Sequence, residues 1–238
     1  KKNQKKNQKK KTKKNQTKKT HISGIYISPG YNNPKPKLYS MTDQKSKISH
    51  LKAPPDEKQV KVVILPGNGC YPVDDSNWYS AVASQLRAKG IKCVLENMPD
   101  PNKARESIWI PFIEKKLEAD AHTILVGHSS GAEAGMRYAE SRQLKGLILV
   151  SACHTDLGVE NERQAGYYSR PWEWKKIKEN CEWIIQFASD NDPFIPEKEM
   201  LHVAKNLETE YHCLKGRGHF LSWQMPEIAE IIQEKLDA

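Results

Sequence analysis

From residue 60 onward, apolar residues alternate between two spacings. Short runs rich in Val, Ile and Leu or in alternating apolar residues occupy 60–65, 91–95, 123–126, 146–152, 183–188 and 210–214. Such runs predict strands, the continuous ones buried on both faces. Between them apolar residues recur every three or four positions, as with Trp78, Val82 and Leu86 inside 78–89, and Ala132, Met136 and Ala139 after the third run. The same helical spacing is read over 105–117, 197–207 and 227–236, with Pro111 expected to interrupt the first of these early. Strands alternating with helices predict an α/β domain over 60–238, with a mostly parallel sheet covered by helices on both faces. Ligands of such sheets sit beyond the carboxyl ends of the strands. Residues 153–181 break the rhythm and carry Tyr167, Tyr168, Trp172 and Trp174 around Pro171. This stretch reads partly as a cap walling a pocket and partly as an insertion packed on the sheet, with Tyr168 and Trp172 as pocket candidates.

Before residue 60 neither spacing exists. Residues 1–20 use only Lys, Asn, Gln and Thr, and Pro29, Pro34, Pro36, Pro54 and Pro55 punctuate residues 21–59. A segment of this composition cannot bury enough apolar surface to order itself, so 1–59 is expected to be a disordered basic tail and linker. It changes how the net charge of +9 is read. Residues 1–59 hold 17 Lys and three acidic residues, whereas 60–238 hold 21 basic and 26 acidic residues. The domain is thus mildly acidic and offers no basic face, and nucleic-acid binding would rest on the tail alone. The tail reads equally as a polybasic arm or as a translated leader upstream of Met41-Thr42-Asp43. Five cysteines, at 70, 93, 153, 181 and 213, form no C-x-x-C pair. They suit a reducing compartment, the cytoplasm with the nucleus as the alternative, and give neither a disulfide framework nor a metal site. No apolar run is long enough for a membrane span.

The third strand leads into Gly127-His128-Ser129-Ser130-Gly131 and then a helix. Strand, G-x-S-x-G and helix together are the context of a nucleophile elbow, a turn so tight that the positions two before and two after the Ser cannot carry Cβ atoms. The helix directs its free N–H groups at Ser129 and favours negative charge there. The first strand ends in Pro66-Gly67-Asn68-Gly69. This G-x-G lacks the third glycine of a dinucleotide fingerprint, since position 72 is Pro, so the loop is read instead as a source of backbone N–H groups for an oxyanion. The expected donors are the amides of Asn68 and Ser130, with Gly69 and His128 beside the substrate.

A Ser hydroxyl needs a base, and the base needs an orienting acid; in elbow enzymes the chain order is Ser, acid, His. His219, between Gly218 and Phe220, follows the last strand. Asp190 and Asp192 both follow the fifth, and side-chain alternation alone does not separate them. Pro193 restricts Asp192 to extended geometry, which suits a residue reaching sideways from a strand end, so Asp192 is preferred. His128, fixed beside the nucleophile, is read as a neighbour of the turn rather than as the base.

These segments carry a resemblance. Together with Asn97-Met98-Pro99-Asp100-Pro101, Ala104-Arg105-Glu106-Ser107-Ile108-Trp109, Glu160-Asn161-Glu162-Arg163, Arg170-Pro171-Trp172, Asp192-Pro193-Phe194 and Gly218-His219-Phe220, they resemble the small serine hydrolases of the retinoblastoma-binding protein 9 type. The resemblance implies an α/β-hydrolase fold lacking the first strands of larger enzymes, with Ser129, Asp192 and His219 as triad, and no cofactor. It does not extend to the L-x-C-x-E motif for which that type is named. The corresponding Leu117-Glu118-Ala119-Asp120-Ala121 lacks both the Cys and the Glu, so binding of retinoblastoma protein is not carried over. The expected activity is hydrolysis of small-molecule esters, thioesters or amides. The competing expectation is a binding or scaffold protein on a hydrolase fold, since fold alone does not fix function.

Overall fold

The computed structural model describes residues 59–238, so the expected disordered tail falls, but for Gln59, outside the described residues. Six strands form one parallel sheet: β1 (Lys61–Leu65), β2 (Lys92–Leu95), β3 (Thr123–His128), β4 (Gly146–Val150), β5 (Ile184–Ser189) and β6 (Glu210–Leu214). Their order across the sheet is β2-β1-β3-β4-β5-β6. The chain moves outward from β1 to β2, then returns to lay β3 on the other side of β1. That reversal opens a crevice at the carboxyl ends of β1 and β3, where Leu65 is paired with Gly127.

Alternating side chains of the buried strands feed two apolar layers. Val63, Leu65, Leu125, Leu147 and Leu149 face α2 (Glu106–Lys115), α3 (Ser130–Ala139) and α5 (Trp174–Glu179) through Trp109, Ile113, Met136, Tyr138 and Ile177. Val62, Ile64, Ile124, Val126, Ile148 and Val150 face α1 (Tyr79–Ala88) and α7 (Pro226–Asp237) through Trp78, Val82, Leu86, Ile228 and Ile232. β3, β4 and β5 are buried throughout, and the edge strands β2 and β6 are only partly so. The two remaining α-helices are α4 (Glu160–Ala165) and α6 (Glu197–Leu207). Among the described residues, no helix is long and apolar enough to cross a membrane.

One stretch differs from expectation, and another divides between two expected roles. α2 is not interrupted at Pro111 but runs through it. Trp109 and Ile113, either side of the proline, are both fully buried, and Trp109 Nε1 donates to the Pro99 carbonyl at 2.7 Å. Burial of two large side chains, about 1.5–3 kcal/mol each, offsets the backbone bond that proline cannot make. The aromatic stretch 153–181 divides its rings between roles. Tyr167 is fully buried in the core, whereas Tyr168, Trp172 and Trp174 pack against it from outside.

Candidate active site

β3 hands the chain to α3 through a single residue, Ser129, held at φ 51° and ψ −125°. Non-glycine residues rarely adopt this conformation, and it persists only where surroundings enforce it. The enforcement is steric. A Cβ on Gly127 would stand 2.3 Å from the Gly131 carbonyl oxygen, and one on Gly131 would stand 2.3 Å from that of Leu65. Ser129 N donates to Val150 O at 2.9 Å, tying the turn to β4. As the first residue of α3, Ser130 presents an amide with no partner inside the helix.

The loop after β1 lies against this turn, close enough that a Cβ on Gly67 would stand 3.3 Å from that of Ser129. Two of its three amides are engaged: Gly67 N donates to Tyr79 Oη at 3.0 Å and Gly69 N to Pro101 O at 2.8 Å. The Asn68 amide makes no hydrogen bond among the described residues, while the Asn68 side chain donates to Glu162 Oε1 at 2.9 Å.

β5 and β6 deliver the acid and the imidazole. His219 Nδ1 lies 2.8 Å from Asp192 Oδ2, and the Asp192 side chain is fully buried. Ser151 Oγ donates to the same oxygen at 2.7 Å, and the amides of Phe194 and Ile195 donate to Oδ1 at 2.9 and 3.0 Å. Burial alone would raise the Asp192 pKa, but the bonds from His219, Ile195 and Phe194 outweigh it and hold the carboxyl below the usual carboxylate value. Asp190 does something else: its Oδ1 accepts from Gly216 N at 2.8 Å, while Asn191 Oδ1 accepts from Gly218 N at 2.8 Å. The end of β5 thereby cradles the loop that carries His219. With Nδ1 engaged, Nε2 is the ring nitrogen left for a hydroxyl.

Ser129 and His219 line one cavity of about 440 Å³, together with Asn68, His128 and Tyr168. Leu157, Val159, Phe194 and Leu221 supply an apolar side, and the Phe194 ring meets His219 edge-on. Gly69 and Trp172 do not belong to this lining. Gly69 is exposed on the loop, and Trp172 turns away to cover the Arg137 guanidinium at 3.7 Å and to donate to His154 O. His128 is buried, with Nδ1 2.6 Å from Tyr79 Oη and Nε2 2.9 Å from His219 O. Burial, then the nearby His219, push its pKa down to about 3, so it stays neutral.

Three residues of this arrangement, Ser151, Tyr79 and Glu133, have no role in the sequence analysis, and a fourth, Glu162, enters there only within a matching segment. Ser151 and Tyr79 act across the chain on Asp192 and Gly67. Glu133, four residues beyond Ser129 on α3, is buried in the cavity wall and accepts from Cys153 N at 2.9 Å. Burial raises its pKa well above the usual carboxyl value, and burial also raises that of Glu162. The one available signal was Glu133 itself, a carboxylate one helical turn after the elbow among small and apolar residues. Among the described residues, no cluster of three or more His, Cys, Asp or Glu is arranged to hold a metal ion.

A profile of the serine hydrolase family matches residues 62–226. Serine hydrolase RBBP9 of Rattus norvegicus is 51 % identical over 177 residues, which span 74 % of this chain and 95 % of that protein. Putative hydrolase YdeN of Bacillus subtilis is 25 % identical over 169 residues, 69 % of this chain and 86 % of its own. The crystal structure of the ydeN gene product superposes with a TM-score of 0.69, covering 76 % of this chain and 100 % of that one at 23 % identity. The architecture is α/β-hydrolase-like.

Proposed function

The chain belongs to the serine hydrolase family, and from that premise we propose that it cleaves small ester, thioester or amide substrates through an acyl-Ser129 intermediate. The observation that carries the reading is the lock on His219: a buried Asp192 holds Nδ1 at 2.8 Å, beside a Ser held at a strained helix entrance in the same cavity. Ser129 Oγ attacks the substrate carbonyl while His219 Nε2 takes its proton. Asp192 fixes the tautomer in which Nδ1 bears hydrogen and Nε2 a lone pair, and stabilises the imidazolium that forms. The amides of Asn68 and Ser130 receive the oxyanion of the tetrahedral intermediate. His219 then protonates the departing alcohol, thiol or amine, and the acyl group stays on Ser129. A water, deprotonated by the same imidazole, releases the acid.

The cavity supports uncharged, partly apolar substrates of modest size. Its polar wall contains two carboxyl groups, Glu133 and Glu162, and no Lys or Arg. The test is Ser129→Ala assayed with small aryl esters. The variant is expected to fold as the parent does and to lose at least a thousandfold in kcat. Activity within tenfold of the parent would sink the proposal.

A further inference from the structure

One buried hydroxyl meets both halves of the proposed machinery. Tyr79 Oη is 3.0 Å from Gly67 N, on the loop that presents the Asn68 amide, and 2.6 Å from His128 Nδ1. The opposite edge of that ring, Nε2, is 2.9 Å from the carbonyl oxygen of His219. Tyr79 is fully buried and His128 is 1 % exposed, so water does not substitute for these bonds.

The direction of every proton in this chain follows from its ends. A carbonyl oxygen only accepts, so His128 Nε2 carries hydrogen and donates to His219 O. The neutral ring then has a bare Nδ1, which accepts from the Tyr79 hydroxyl. The Tyr79 oxygen in turn accepts from Gly67 N–H, and from Asn77 Nδ2 at 3.2 Å. The bonds therefore run in one sense, from the Gly67 amide through Tyr79 and His128 to the backbone of His219. Each bond polarises the next.

The geometry points to Tyr79 as a positioning residue that fixes the oxyanion loop and the His219 loop relative to each other, with His128 as the link. The inference rests on the proposed roles of Ser129 and His219. Nothing in it requires Tyr79 to touch substrate. Its hydroxyl holds the amide one residue before Asn68, and through His128 it holds the main chain of the base. A tyrosine needed only for packing would use its ring, which meets Trp78 edge-on at 4.7 Å, and would need no hydroxyl.

Tyr79→Phe keeps the ring and removes the oxygen. With p-nitrophenyl acetate, kcat is expected to fall about 10–100-fold, less than the 10²–10³ lost when an oxyanion donor is deleted, because the donor is displaced rather than removed. KM should stay within threefold. Affinity for an arylboronic acid, whose tetrahedral adduct on Ser129 needs the same donors, should fall in parallel with kcat. A merely structural role would lower the melting temperature and leave both kcat and boronate affinity within twofold at 25 °C, and that result overturns the proposal. A second pair of variants decides the matter if Tyr79→Phe does not fold. Gln at 128 offers an oxygen to Tyr79 and an N–H to His219 O, and Leu offers neither. His128→Gln should keep at least tenfold more kcat than His128→Leu, and equal values overturn the relay. A parent enzyme that hydrolyses no ester and takes no boronate refutes the reading of the site and the relay with it. An active parent with an unaffected Tyr79→Phe refutes the relay alone.

Discussion

Asp192→Asn isolates the orientation of the base from its presence. In the folded protein Asp192 Oδ1 accepts two backbone amides, from Phe194 and Ile195, while Oδ2 faces His219 Nδ1 and Ser151 Oγ. An asparagine has one oxygen, and the two amides claim it. Its NH2 then occupies the Oδ2 place and points at His219, whose Nδ1 must become the acceptor. The hydrogen moves to Nε2, which can no longer take a proton from Ser129. In a Ser-His-Asp protease the corresponding change costs about 10⁴ in kcat, roughly 5 kcal/mol of barrier. A loss of at least a hundredfold is expected here, about 2.7 kcal/mol. Asp190→Asn is the matched control. Its side-chain bond, from Gly216 N to Oδ1, survives in the amide, so the expected loss is under tenfold. Steady-state hydrolysis of p-nitrophenyl acetate by both variants, with melting temperatures to confirm folding, reads the comparison. The reverse ranking would move the acid to Asp190.

Gly131→Ala places a Cβ between the Leu65 and Pro66 carbonyls, which are backbone and yield little. It is expected to destabilise by about 1–3 kcal/mol and to abolish ester hydrolysis, read by urea denaturation and kinetics. Acid should weaken the fold through His128, whose folded pKa of about 3 lies below its ordinary 6.5. Between those values the unfolded chain takes a proton that the folded chain refuses. Stability should therefore fall as pH drops through 6.5, by up to about 1.4 kcal/mol per pH unit from this group, and His128→Gln should flatten that slope in urea titrations. Removing residues 1–40 is expected to change neither melting temperature nor esterase activity, whereas a drop of several degrees would show that the tail packs on the domain.

What could be read from the chain alone depends on how local each cause is. The α6 helix Glu197–Leu207 and the β6 strand Glu210–Leu214 coincide with the sequence reading, and the other strands and long helices shift by one to a few residues at an end, because apolar spacing and turn residues set them locally. The tight turn was legible because its glycines sit at fixed local spacing around Ser129, although what Gly131 must clear, the Leu65 carbonyl, lies on a distant strand. Pro111 misled because its local cost is outweighed by burial of Trp109 and Ile113 against a distant sheet. Ser151 and Tyr79 were silent because their partners lie 41, 12 and 49 residues away, at Asp192, Gly67 and His128. Trp172 was placed in the pocket on composition, but the Arg137 face draws it elsewhere. Local pattern names elements; only the assembled sheet says which side chains meet.

The proposed function stands on covalent acylation of Ser129 during turnover. Incubation of the parent with a fluorophosphonate, followed by proteolysis and mass spectrometry, tests it most directly. Stoichiometric modification of Ser129 with matching loss of esterase activity is expected, and no modification of the Ser129→Ala variant. Label on any other residue, or an unmodified Ser129 in protein that still hydrolyses ester, would contradict it.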